Sequence, residues 1–142
     1  MLRNDISNKS APYIAFDIDS LLFKDEKPNM VSRFLNMFKT DETKYLSRPL
    51  NDDFIKIVER VWYKHNVCVI FTCFSLYSTE AKRKLLDILV DRNVPFTNID
   101  FFREWREARN APYMYFFTNN EYLSSFMSSK HAMKLENIWE VL

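Results

Sequence analysis

Glycine is absent from this chain of 142 residues. Phosphate loops of the GxxxxGKS/T and GxGxxG types need glycine where the backbone approaches a phosphate, so neither is present. Turns that require a positive φ must fall to Asn or Asp. Twelve asparagines are available, and Asn51, Asn66, Asn93, Asn119 and Asn120 stand at expected turns. Cysteine is nearly absent too. Cys68 and Cys73 are too few for a disulfide framework or a zinc site, which points to a reducing cytoplasm. Charge of one sign is also missing: 20 Lys+Arg face 19 Asp+Glu, for a net +1. That balance excludes a strongly basic nucleic-acid coat and an acidic tail. No apolar run approaches the roughly 18 residues of a membrane span. The opening MLRNDISNKS has no apolar stretch of the kind a secretory leader needs. The expectation is no membrane partner and no strong nucleic-acid signal.

What remains is an ordinary globular balance, 47% hydrophobic and 27% charged, enough for one self-sufficient domain over 1–142. Richness in Asn, Lys, Phe and Tyr suggests an AT-rich coding sequence, as in a virus or phage whose protein works in the host cytoplasm.

Tyr13-Ile14-Ala15-Phe16 is a short apolar run ending in Asp17, read as a buried strand. Residues 24–30 form a charged loop. Val31, Phe34, Leu35 and Phe38 recur at helical spacing over 31–39, and 40–50 is polar again. Asn51 offers an N-cap to a helix carrying Phe54, Ile57, Val58, Val61 and Trp62. Val67 to Phe71 is a second continuous apolar run, closed by Thr72. Ser78 or Thr79 starts a helix with Leu85, Leu86, Ile88 and Leu89 on its stripe, ended by Asn93. A short strand is expected within 96–102 and a helix over 103–110. Tyr113 to Phe117 is a third apolar run, followed by a helix over 119–130 with Leu123, Phe126 and Met127 inward. Residues 135–142 fit a last strand or helix. Continuously apolar strands alternating with helices predict a parallel sheet covered on both faces, in a three-layer α/β/α Rossmann-like domain. Ligands of such sheets bind beyond the carboxyl ends of the strands.

Asp17 and Asp19 stand just past the first strand, two residues apart, and in extended geometry both point to the same side. One carboxylate can serve as nucleophile and the other as general acid and base. Two acids in one crevice also attract a divalent cation. Thr72 ends the neighbouring strand, where its hydroxyl can meet a phosphoryl oxygen or satisfy local backbone. Acids, metal and hydroxyl at one strand end suit phosphoryl transfer. Arg103, Arg106 and Arg109 are interleaved with Glu104 and Glu107, which suits a salt-bridged solvent face or one arginine reaching a phosphate. His65 and His131 lack ligand spacing, and Cys73 lacks a nearby His or other cation.

The segment YIAFDIDSLLF (Tyr13 to Phe23) resembles the first motif of the haloacid dehalogenase (HAD) superfamily, an apolar strand followed by DxDx(T/V)(L/V). VCVIFTCFS resembles the second, an apolar strand ending in Thr or Ser, and the order matches over about residues 12–130. The layout is similar to compact phosphatase and nucleotidase members. The resemblance implies that Asp17 forms an aspartyl-phosphate, that Asp19 protonates the leaving oxygen and then activates water, and that Thr72 binds phosphate. It implies Mg²⁺ held by Asp17, by the Asp19 carbonyl and by a group after a later strand, here Asn119 and Asn120. It also implies a phosphate-neutralising cation, for which Arg106 and Arg109 are the candidates. Residues 24–50 would then be a small cap or lid.

The chain departs from that pattern. Ser20 replaces the usual Gly, and Leu21 the usual Thr or Val. The fourth-motif acids fall on Thr118 and Asn119, leaving Glu121 as the nearby carboxylate. Two expectations follow. One is a Mg²⁺-dependent phosphohydrolase acting on a phosphomonoester such as a nucleotide or a phosphorylated nucleic-acid end. The other is a catalytically degenerate HAD-like binding or regulatory module acting on a protein partner.

Overall fold

The three continuous apolar runs become the centre of one sheet. The computed structural model describes residues 12–24 and 41–142. In chain order these form β1 (Tyr13–Asp17), α1 (Ile18–Leu21), α2 (Asp41–Leu46), α3 (Asp52–Lys64), β2 (Cys68–Cys73), α4 (Thr79–Asp91), β3 (Asn98–Phe101), α5 (Trp105–Arg109), β4 (Tyr115–Phe117), α6 (Glu121–Phe126), β5 (Ala132–Met133) and α7 (Ile138–Val141). Single 3₁₀ turns lie at Ser128–Lys130 and Leu135–Asn137. The helix expected over 31–39, and most of the expected 24–50 cap, lie outside the described residues.

All strand pairs are parallel, in the order β3-β2-β1-β4-β5. Parallel neighbours need crossover connections, and helices laid on both faces bury the strands from both sides. That explains why β1 and β2 read as unbroken apolar runs and not as alternating ones. One face carries Ile14, Phe16, Val69, Phe71 and Phe117 against Phe54, Val58 and Val61 of α3 and Leu85 and Leu89 of α4. The other carries Ala15, Ile70 and Phe116 against Ala108 of α5 and Leu123 of α6. The result is a three-layer α/β/α Rossmann-like fold. Among the described residues no helix is long and apolar enough to cross a membrane.

The caps follow the sequence. The Asn51 side chain accepts from the Phe54 amide at the start of α3, and Ser78 Oγ accepts from the Ala81 amide at the start of α4. Asn93, just beyond α4, takes φ 53° in place of the missing glycine. His131 takes φ 50°, a position for which only Asn or Asp was anticipated.

Three expectations need correction. The polar stretch 40–50 contains α2, whose DETKYL has only two apolar residues to mark a periodicity. The helix expected over 119–130 is shorter and closes in a 3₁₀ turn. β5 was not anticipated, because two residues leave no pattern. The ends of the 24–50 excursion meet: Phe23 and Leu50 form an antiparallel bridge, and the Lys24 amide donates to the Pro49 carbonyl at 2.8 Å.

Candidate functional site

The strand order places the switch point of the sheet between β1 and β4, the side on which ligands of open α/β sheets bind. Asp17 ends β1 there. It lies in register with Thr72 of β2, and the pairing of Phe16 with Phe117 sets Thr118 on its other side. Asp17, Thr72 and Thr118 therefore stand side by side at the strand ends.

The hydrogen bonds around Asp17 form a closed arrangement. Its Oδ2 accepts from Thr118 Oγ1 at 2.7 Å and from Ser20 Oγ at 2.9 Å. Each hydroxyl in turn accepts a backbone amide: Asn119 donates to Ser20 and Asn120 to Thr118, both at 3.0 Å. Oδ1 is buried and has no partner among the described residues. Asp17 is only 1% exposed. Burial, then repulsion from Asp19, push its carboxyl up; the Thr118 and Ser20 hydroxyls pull the other way, leaving a pKa of about 7.

Asp19 goes elsewhere. The chain does not stay extended after Asp17 but turns into α1, so the two carboxylates are not set on one side as an extended i, i+2 pair would be. Asp19 reaches the loop after β2, where its Oδ2 accepts from the Phe74 amide at 2.6 Å and Oδ1 from Cys73 Sγ at 3.5 Å. Burial raises its carboxyl; the Phe74 amide, Ser75, Tyr45 and Cys73 oppose that. Burial and the Asp19 charge push the Cys73 thiol up, the opposite of what a nucleophilic cysteine needs.

Thr72 is fully buried, and its hydroxyl donates to the Phe16 carbonyl at 3.4 Å, the local-backbone role. Asn120 Oδ1 caps α6, accepting from the Tyr122 and Leu123 amides. Asn119 is exposed and meets the site through its backbone amide. The arginines are occupied apart from the acids: Arg106 pairs with Glu104 at 3.0 Å, and Arg109 lies over the Phe126 ring at 4.4 Å. Glu107 spends its carboxylate on the Arg103 and Glu104 amides at the start of α5.

Further residues complete the surroundings. A cleft of about 330 Å³ beside Asp19 is lined by Lys44, Tyr45, Arg48 and Ser75. Asp100 extends the strand-end row, in register with Thr72, and accepts from the Tyr113 hydroxyl. The only signal for Lys44 and Arg48 was their place in the excursion between two site strands. Ser20 and Thr118 stood out as departures from the HAD pattern, and those departures are the hydroxyls that hold Asp17.

A divalent cation of the kind the HAD resemblance implies needs several open oxygens. Here the Asp19 carboxylate is spent on the Phe74 amide and the Cys73 thiol, Asn120 Oδ1 on two backbone amides and Asp17 Oδ2 on two hydroxyls, which leaves buried Asp17 Oδ1 as the one unpartnered carboxylate oxygen of the pair. Among the described residues no three His, Cys, Asp or Glu are grouped to hold a metal ion. The donor set does not fit Mg²⁺. No family model, curated protein or solved structure matches this chain.

Proposed function

We propose that this chain is a HAD-like module that binds a ligand or protein partner at the carboxyl edge of its sheet without hydrolysing phosphomonoesters. The observation that supports this is the commitment of the acids. Both Asp19 oxygens and one Asp17 oxygen are engaged by protein donors, so no open carboxylate pair faces a substrate and metal.

One observation favours the other expectation, a phosphohydrolase. Asp17 Oδ1 is unpartnered at the switch point, beside Thr72, as an attacking oxygen must be. A single assay separates the two. Release of phosphate from a generic aryl phosphate is measured across Mg²⁺ and Mn²⁺ for the wild type and Asp17→Asn. The binding module shows the same background in both. Metal-dependent release that Asp17→Asn abolishes overturns it.

A further inference from the structure

The cleft beside Asp19 has polar walls of one kind. Lys44 belongs to the last turn of α2, and Arg48 follows that helix; Ser75 faces them from the loop after β2. Asp19, the acid of the wall, already accepts from the Phe74 amide and Cys73. The other groups of the wall are donors: an ammonium, a guanidinium, and the Ser75 and Tyr45 hydroxyls, both of which also favour the Asp19 carboxylate. Neither Lys44 nor Arg48 has an acidic partner among the described residues.

Tyr45 is the decisive member. It is 7% exposed, its ring packs edge-on against Phe23 at 4.7 Å, and its hydroxyl, though near enough to Asp19 to favour that carboxylate, completes no hydrogen bond of ordinary geometry among the described residues. A buried polar group without a partner is costly and uncommon in folded proteins. Burial first, and then the Asp19 and Cys73 charges, the approach of the hydroxyl to the Asp19 carboxylate and the Asp17 charge, hold this phenol well above its ordinary pKa, so it stays an O–H donor at any working pH. An acceptor entering the cleft satisfies it.

We infer that this cleft binds a small oxyanion group, a phosphate or a carboxylate, through Lys44, Arg48, Ser75 and the unpartnered Tyr45 hydroxyl. The inference rests on the binding-module reading and gives that module its ligand chemistry. An oxyanion matches the donors in charge, and the guanidinium fork of Arg48 suits two oxygens at once. The residues that recognise it come from the excursion and the β2–α4 loop, not from the Asp17 cluster.

The test uses the full chain at low ionic strength, with inorganic phosphate and succinate as separate probes, and reads binding by calorimetry and melting-temperature shift. At least one probe binds and raises the melting temperature. Tyr45→Phe, which removes only the hydroxyl, and Arg48→Ala each weaken binding by about tenfold or more, the loss of one charge-assisted hydrogen bond. Lys84→Ala, a charge deletion on α4, leaves it unchanged. Preference for phosphate over succinate, or the reverse, assigns the source of the oxyanion. No binding of either probe overturns the inference, as does binding that survives both Tyr45→Phe and Arg48→Ala. Binding lost in Asp17→Asn but kept in Arg48→Ala also overturns it, by placing the anion at the strand-end acid. Aryl-phosphate turnover sinks the binding-module reading separately, since oxyanion binding is measured without a hydrolysable ester.

Discussion

Asp17 shows how far a side chain's behaviour departs from its type. Its environment favours the protonated form, because burial and the neighbouring Asp19 outweigh two hydroxyl donors. The folded state thus holds a proton that the unfolded chain releases near pH 4. A raised folded pKa contributes stability that is complete below the unfolded value and is lost as pH climbs to the folded one. Between pH 4 and about 7 the protein accordingly loses stability from this group, on the order of 4 kcal/mol for a shift of this size. The shift of Asp19 acts in the same direction. Asp17→Asn keeps an oxygen for Ser20 and Thr118 and sets an uncharged amide where Oδ1 had no partner. Urea melts should show the variant more stable than the wild type at pH 8, with the gap closing toward pH 4. A wild-type advantage at pH 8 would mean that the ionised carboxylate is favoured in the fold. The acids themselves were legible in the sequence, as a DxD after an apolar run. Their partners were not, since Ser20 and Thr118 are 98 residues apart and meet only through the strand order.

Short elements here are held by single side chains. Glu42 of α2 is buried and spans to the start of α4: its Oε1 accepts from the Tyr77 amide at 2.6 Å and the Ser78 amide at 2.8 Å, and its Oε2 from Ser78 Oγ at 2.8 Å. Desolvation works against the carboxylate, but the Ser78 and Tyr77 donors and Lys82 outweigh it and hold Glu42 below the ordinary range. The same contact fixes the loop that carries Ser75 and the Phe74 amide. Glu42→Ala should lower the urea midpoint and speed hydrogen exchange at the Tyr77 and Ser78 amides severalfold, with little change in the amides of β1. Glu42→Gln, which keeps an acceptor, should fall between. Equal exchange in wild type and Glu42→Ala would show that α2 is held by its apolar contacts alone. Long elements were legible because thirteen residues of α3 or α4 carry several repeats of an apolar stripe and a recognisable cap. The six residues of α2 carry less than two turns, and its anchor is an acid that reads as solvent-facing in any sequence pattern.

For the molecule as a whole, the class of fold was readable and the arrangement was not. Unbroken apolar runs separated by helical stripes imply a covered parallel sheet, and that follows from burial on both faces. Which strand lies beside which depends on packing between distant segments. Only the structure brings β4 next to β1 and so makes Thr118 a neighbour of Asp17. The centre of that packing is aromatic. The Phe16 ring lies 5.6 Å from Phe54, 6.3 Å from Phe71 and 5.4 Å from Phe117, so one residue of β1 links α3, β2 and β4. Phe16 is fully buried, and its carbonyl receives the Thr72 hydroxyl one position before the site. Removing the ring forfeits its transfer free energy and leaves a cavity that three surrounding rings cannot close. Phe16→Ala should therefore cost about 3–5 kcal/mol, against the roughly 5–15 kcal/mol that holds a domain together. Phe74→Ala, a half-buried ring on the opposite face that pairs with Phe102, should cost clearly less. Denaturant unfolding of the two variants beside the wild type measures the difference. If both fall equally, the core is not organised around β1.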